Sequence, residues 1–176
     1  HYAHSVNGVK VSACFSVRSS DGELVGGVIY GALSTTAWKR FAASEEKVLE
    51  LRRLVLLDKA GRNSESRVVG RTLRWLARNM PQVDVVVSYA DPAFGHTGRI
   101  YRAANFTYLG LTAPDIGLRD PETGHTYHSR ALRTKYRGRL KPFAERLRIK
   151  HAAGLLDIIP LPGKHCYVYW LHKTGR

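Results

Sequence analysis

Cysteine is almost missing from this chain: Cys14 and Cys166 are the two it has in 176 residues. Both lie in strand-like runs, VSACFSV and HCYVYW, with no second ligand at CxxC spacing. That spacing argues against a zinc module and leaves two buried, reduced thiols as the simplest expectation. Long apolar runs are missing too. No stretch approaches the roughly 20 residues a membrane helix needs, and no signal-peptide pattern is visible, so a cytoplasmic protein is expected. There are no repeats, no low-complexity tracts and no linker long enough to divide the chain, which predicts one domain over residues 1–176. The chain opens at His1 instead of Met, and a segment upstream is expected to have been removed or left out.

Acidic residues are the remaining scarcity. Fourteen Asp and Glu face 28 Lys and Arg, for a net charge of +14 and a pI near 10.2. A modest excess would read as a solvated basic surface. Here nine of the cations stand between Arg130 and Lys150 with Glu145 as the one acid. Such a concentration favours a polyanionic partner, nucleic acid first and an acidic membrane surface second. Arg130, Arg133, Lys135, Arg137 and Arg139 are the candidate contacts to nucleic acid.

What is present alternates between strand and helix signals. Val9 to Val17 and Leu24 to Tyr30 read as strands joined by a turn at Asp21-Gly22. Leu33 to Ser44, with Thr35 and Thr36, is a loop or short helix. Lys47 to Leu57 is a third strand whose odd-numbered face places Arg53 among Leu49, Leu51, Val55 and Leu57, where a charge needs a partner or a ligand. After a turn, Asn63 or Ser64 caps a helix to about Asn79, with Val69, Leu73, Leu76 and Met80 on one side. Val83 to Val87 is a buried strand, and a helical segment carrying Tyr101 leads to a strand at Thr107 to Leu111. Asp115 to Tyr127 is a loop, Leu140 to Leu156 a helix with a basic face, and Lys164 to His172 the last strand. The order suits an α+β fold with a mixed sheet flanked by helices.

Residues able to do chemistry gather where the valine strand hands over to the next helix: Ser88, Tyr89, Asp91 and His96, in the run VDVVVSYADPAFGHTGRIYRAANF. Sites in open sheets commonly form at such places. A helix opening with Asn63, Ser64 and Ser66 offers N–H groups, hydroxyls and an amide to a phosphate, although an ordinary capped helix looks the same.

Tyr101 stands five residues before Phe106, which resembles the Tyr-containing helix end of the GNAT N-acyltransferases, with Asn105 where a Gly is usual and RNSESR in place of their glycine-rich loop. A closer similarity covers His1 to about Leu171. ELRRL, NSESR, SYADP, GHTGRIY and KHCYVYWL together resemble the Mom-type DNA modification proteins of bacteriophages. The resemblance implies a GNAT-like fold and an enzyme that converts adenine in double-stranded DNA to its N6-methylcarbamoyl form, shielding that DNA from host restriction. It implies acetyl-CoA or a related acyl-CoA as cofactor, with Asn63, Ser64, Ser66 and Arg67 at the carrier. Arg53, Ser66, Asp91 and Tyr101 are the active-site positions it marks. His1 and Tyr2 match a pair tied in that family to iron, a frayed terminus being the plain alternative.

Adenine N6 is a poor nucleophile, so its acylation needs a base near the acceptor. Asp91 is expected to take that proton or to hydrogen-bond the amine; its plain alternative is capping the helix that follows Pro92. Tyr101 is expected to protonate the leaving sulfur, against simple packing. Arg53 pairs with Asp91 or Glu50, or clamps a phosphate. Glu50 is placed on the opposite strand face from Arg53. His96 touches substrate or is a loop residue, and Tyr89, Trp38 or Trp170 stacks on a base or fills the core. Two other functions stay open: a conventional acetyltransferase acting on a protein or small amine, and a DNA-binding module without catalysis.

Overall fold

The structure, a computed structural model, describes residues 11–33 and 36–172. They form two compact units. Residues up to 90 make the first together with 96–110 and 165 onward; residues 91–95 and 111–164 make the second. The fold is α+β with a mixed sheet, as expected.

The first unit carries a six-stranded sheet. In chain order its strands are β1 Val11–Arg18, β2 Leu24–Ala32, β3 Val48–Leu56, β4 Val85–Ala90, β5 Thr107–Leu111 and, last in the chain, β11 His165–Trp170. Across the sheet they run β1-β2-β3-β4-β11-β5. β1–β2, β2–β3 and β4–β11 are antiparallel, while β3–β4 is parallel. A parallel neighbour requires a crossover, supplied by helix α1, Ser64–Asn79. Val85, Val86 and Val87 are each 0% exposed, the continuous burial of a strand covered on both faces. On one face Val69, Leu73 and Leu76 of α1 meet Val28, Leu49, Leu51 and Val86. Each such side chain contributes about 1.5–3 kcal/mol on leaving water. On the other face Trp38 and Phe41 cover Val48, Val85, Val87 and Val168.

One expectation about the thiols fails here. Cys166 is buried, but Cys14 is exposed, because β1 is an edge strand and Cys14 points away from the side on which Ala13 and Phe15 meet the core. Thr35 lies outside the described residues.

The second unit holds β6 Asp115–Arg119, β7 Thr126–His128 and β10 Asp157–Leu161 in the order β10-β6-β7, a two-residue pair β8 Lys135–Tyr136 and β9 Arg139–Leu140, and helix α3 Pro142–Ala152. Leu118, Leu147 and Leu156 form its core. The segment expected to be a loop, Asp115 to Tyr127, contains β6 and the start of β7. The helix expected over Leu140 to Leu156 ends at Ala152, where Gly154 turns the chain at φ 70° into β10. The helix is expected too long because β10 is short and carries Pro160, so its period-2 signal is too weak to compete with the helix formers before it. Among the described residues no helix is long and apolar enough to cross a membrane.

Candidate active site

β3 and β4 pair over only three positions, Val48 with Val85, Leu49 with Val86 and Glu50 with Val87. Beyond them the ladder stops, although β3 runs on to Leu56 and β4 to Ala90. The two strands therefore part in the middle of a sheet. β3 also bulges there: Ile29 of β2 faces Arg53 while Tyr30 faces Leu51, leaving Arg52 as an extra residue. Such bulges bend a strand away from its neighbour and re-aim its side chains. Ser88, 0% exposed, sits on the β4 side of the opening with its hydroxyl 3.5 Å from the Leu51 carbonyl.

Tyr101 joins Ser88 there. It lies on the short helix α2, Arg99–Ala103, its ring packed 5.6 Å from that of Phe106 and 5.3 Å from that of Tyr167. The five-residue spacing has a structural cause. Phe106 N–H donates to the Tyr101 carbonyl and Asn105 N–H to that of Arg102, both at 3.0 Å, with Asn105 at φ 64°. This is a Schellman helix end with its hydrophobic contact, and Asn replaces Gly as the residue tolerating the left-handed region. At the other end Gly98, at φ 71°, lies against Tyr167, and a Cβ would fall 2.2 Å from its ring. The Tyr167 hydroxyl donates to the Thr97 carbonyl at 2.7 Å. The loop before α2 is thereby fastened to β11, which fixes where Tyr101 stands. Burial pushes the Tyr101 phenol up, a hydrogen bond with Ser88 partly opposing it and Glu50 and Tyr167 adding to it. At neutral pH the phenol is a proton donor.

Tyr89 points to the opposite face of β4, beside the core of Val85, Val87 and Cys166. Burial, then Cys166 and Glu50, push its phenol up to about 12. Trp38 is partly buried against that same core and Trp170 is half exposed.

Arg53 departs from its expected setting. The bulge reverses the strand's alternation, so Leu49, Leu51 and Leu54 share one core while Arg52 and Arg53 fall together on the other side. Arg53 is exposed and its Nη1 donates to the Arg52 carbonyl at 2.7 Å. The pair expected for Arg53 is made by its neighbour: Arg52 lies 3.9 Å from Glu50 and donates to the Ala32 carbonyl at 2.6 Å. After the bulge Glu50 and Arg53 lie on the same strand face, against the expected opposition.

The start of α1 also differs from a capped helix. Asn63 holds the cap position at φ 60° with no side-chain cap. Ser64 donates backward to the Ala60 carbonyl and Ser66 to that of Asn63, the latter at 3.2 Å. Among the described residues no side chain caps this helix start, the arrangement suited to an anion. Arg67 is exposed on this turn.

In the second unit Asp91 caps the 3-10 turn Pro92–Phe94, its Oδ1 accepting from the Ala93 N–H at 3.1 Å. Its Oδ2 lies 2.8 Å from the Lys164 ammonium. Lys164 is the partner that sequence reasoning missed, although it heads the KHCYVYWL motif. Thr112 brackets it: the Lys164 N–H donates to Thr112 Oγ1, and the Thr112 N–H to the Lys164 carbonyl, both at 2.9 Å.

The basic tract is spread over the 3-10 helix Ser129–Arg133, β8, β9 and α3. Arg130, Arg133, Lys135, Arg137 and Arg139 are exposed. Lys150 is committed internally, 2.8 Å from Asp120 and 2.6 Å from Glu122. His96 is exposed. The His1-Tyr2 pair lies outside the described residues, and among those described no cluster of His, Cys, Asp or Glu could hold a metal.

An α+β protein whose parallel strands part in mid-sheet, with a buried, protonated tyrosine beside Ser88 and a strongly basic composition, is the class these features define. The chain belongs to the Mom protein family, which matches it over residues 1–176. It is 28% identical over 157 residues to the methylcarbamoylase mom of Escherichia phage Mu, an alignment covering 88% of this chain and 62% of that relative. The chain thus spans less than two thirds of that relative's length. Solved structures similar to it include a GNAT-family acetyltransferase from Bacillus anthracis, with TM-score 0.49 and 11% identity over 90% of this chain and 66% of the other. Another is the ribosomal-protein-S5-alanine acetyltransferase from Vibrio fischeri, with TM-score 0.49 and 10% identity over 93% of this chain and 63% of the other.

Proposed function

We propose that this protein is a DNA modification enzyme of GNAT-like acyl-transfer chemistry, acting on adenine N6 in double-stranded DNA and leading to N6-methylcarbamoyladenine. The observation that carries the reading is the opening between β3 and β4 with the protonated Tyr101 phenol beside Ser88. Membership of the Mom family and the net charge of +14 support it. The carrier would be an acyl-CoA supplying the thioester carbon, and the uncapped N–H groups at the start of α1 with Asn63, Ser64, Ser66 and Arg67 would hold its phosphates.

A thioester whose acyl group already carries the methylcarbamoyl nitrogen would supply the carbon, the N6–carbon bond forming as the carbon–sulfur bond breaks. Asp91 would take the proton that N6 loses, and Tyr101 would hold a proton for the leaving sulfur. Arg53, with Arg52 beside it at the bulge, carries positive charge to the carrier or to a DNA phosphate. Adenine inside a duplex is shielded, so the base is flipped out while Arg130, Arg133, Lys135, Arg137 and Arg139 hold the backbone. Ser88 steadies the Tyr101 phenol. His96 serves the flipped base, and the protein acts in the cytoplasm of a phage-infected host, protecting DNA from restriction.

The test is to express the protein in a bacterium, digest the DNA to nucleosides and weigh them. A heavier deoxyadenosine that disappears with Asp91→Ala and with Tyr101→Phe is the expected result. Unaltered nucleosides from a well-folded, DNA-bound protein would overturn the reading in favour of a binding module. Acetylation of free amines without DNA would overturn it in favour of a conventional acetyltransferase.

A further inference from the structure

We propose that the outer face of α1 is a second grip on the duplex backbone, made by Arg71, Arg74 and Arg78; Arg67, which heads the same line, serves the carrier. Spacings of four, three and four residues put these side chains in one line along the helix. The line is about 16 Å long at 1.5 Å per residue. All four are exposed. The opposite face of α1 is held in the core by Val69, Leu73 and Leu76, so the line is rigid.

Three features separate this row from an ordinary solvated helix face. First, the row is unneutralised, unlike Lys47, Arg119 and Lys150, which pair with Asp84, with Asp157 and with Asp120 and Glu122. Among the described residues none of the four α1 guanidinium groups has a carboxylate within 4.0 Å, and Glu65 is the one acid of the helix. Second, like charges at these spacings oppose helix formation, and Arg67 on the first turn also opposes the helix dipole. A helix selected only for solubility would intersperse acids. Third, all the cations of α1 are arginine, whose planar fork binds phosphate oxygens in pairs. Trp75, 44% exposed, stands among them with its ring 5.1 Å from that of Phe15.

A straight, rigid, unneutralised row fits a regular line of negative charge. Each strand of a duplex presents one phosphate per about 3.4 Å of axis, so 16 Å of helix passes several of them. The choice of DNA as the polyanion rests on the function proposed above; the row itself rests on the charges alone.

The experiment measures binding of a fluorescent mixed-sequence duplex by anisotropy between 50 and 200 mM salt, on the full chain and on R71Q/R74Q/R78Q. About 0.9 of salt slope accompanies each phosphate contact. The triple variant should therefore lose roughly 2 to 3 from the slope of log K against log salt, and at least about tenfold in affinity at 50 mM. R71K/R74K/R78K should keep most of the slope, which separates lost charge from lost folding, and melting curves should be unchanged. A triple variant that binds with wild-type affinity and slope overturns the proposal. So does one that keeps DNA but loses free CoA, or a wild-type protein that binds polyglutamate as tightly as duplex. Salt-dependent binding lost in the triple variant, with no altered nucleoside from the wild type, would overturn the proposed function and leave this grip standing.

Discussion

At the scale of single residues, several side chains are fixed by one contact each, and those contacts make the sharpest tests. The Tyr30 hydroxyl is 0% exposed in the core and 2.7 Å from Thr72 Oγ1. Thr72→Val keeps the volume but leaves that hydroxyl without its partner, and should cost about 1–3 kcal/mol in urea unfolding. A cost below a few tenths would show that the pair is dispensable. Asp91 gives a counterpart in the proposed role of base, since its two oxygens are held by Ala93 N–H and by Lys164. If Lys164 positions this carboxylate, Lys164→Met should depress DNA modification, and Lys164→Arg should restore part of it with a displaced pH profile. Equal loss in both variants, with an unchanged profile, would reduce Lys164 to a structural tie. Asp91 was visible in the sequence because SYADP ends a valine strand. Lys164 was not, because 73 positions separate it from its partner and nothing local announces the pair.

Elements were legible where a period or a turn was strong. The α1 stripe, the valine strand β4 and the β1–β2 hairpin all follow from spacing alone. What defeated the reading were departures from regularity. A single bulge at Arg52 reverses every later side chain of β3, so an alternation read straight through placed Arg53 among leucines and apart from Glu50. Helix ends behave the other way, since their chemistry is local. Tyr101, Asn105 and Phe106 are the residues a Schellman end requires, and their spacing therefore reports structure. At Asn105, φ 64°, a Cβ without a polar side chain pays for the left-handed region. Asn105→Ala should cost about 1 kcal/mol, whereas Asn105→Gly should be neutral or stabilising. Thermal melts of the two variants check this, and equal melting temperatures would contradict the helix-end assignment.

At the scale of the whole molecule the charge of +14 and the buried phenols set how stability depends on pH. Tyr30, Tyr89 and Tyr101 are all pushed above the ordinary phenol value of about 10, each chiefly by burial. The neutral phenol is the form the fold favours. Their contribution is fully present below about pH 10, where folded and unfolded chains alike are protonated. Above that, the unfolded chain releases protons that the folded chain keeps, so stability falls as pH rises through the folded values, near 12 for Tyr89. The carboxylates act with the opposite sign. Asp120 is held below its usual range by the Lys150 hydrogen bond, and Asp115 by the Ile116 N–H. Their contribution is present above the ordinary carboxylate value of about 4 and disappears as pH drops through the lower folded values. Lysine also titrates near pH 10, so a falling melting temperature alone would not identify the phenols. Comparison with Tyr89→Phe and Tyr101→Phe does. If burial of the neutral phenol is the cause, any gap in melting temperature favouring the wild type at pH 8 should shrink, or reverse, by pH 11.5. A gap that stays constant across that range would mean the phenols titrate alike in both states and that lysine governs the alkaline limit.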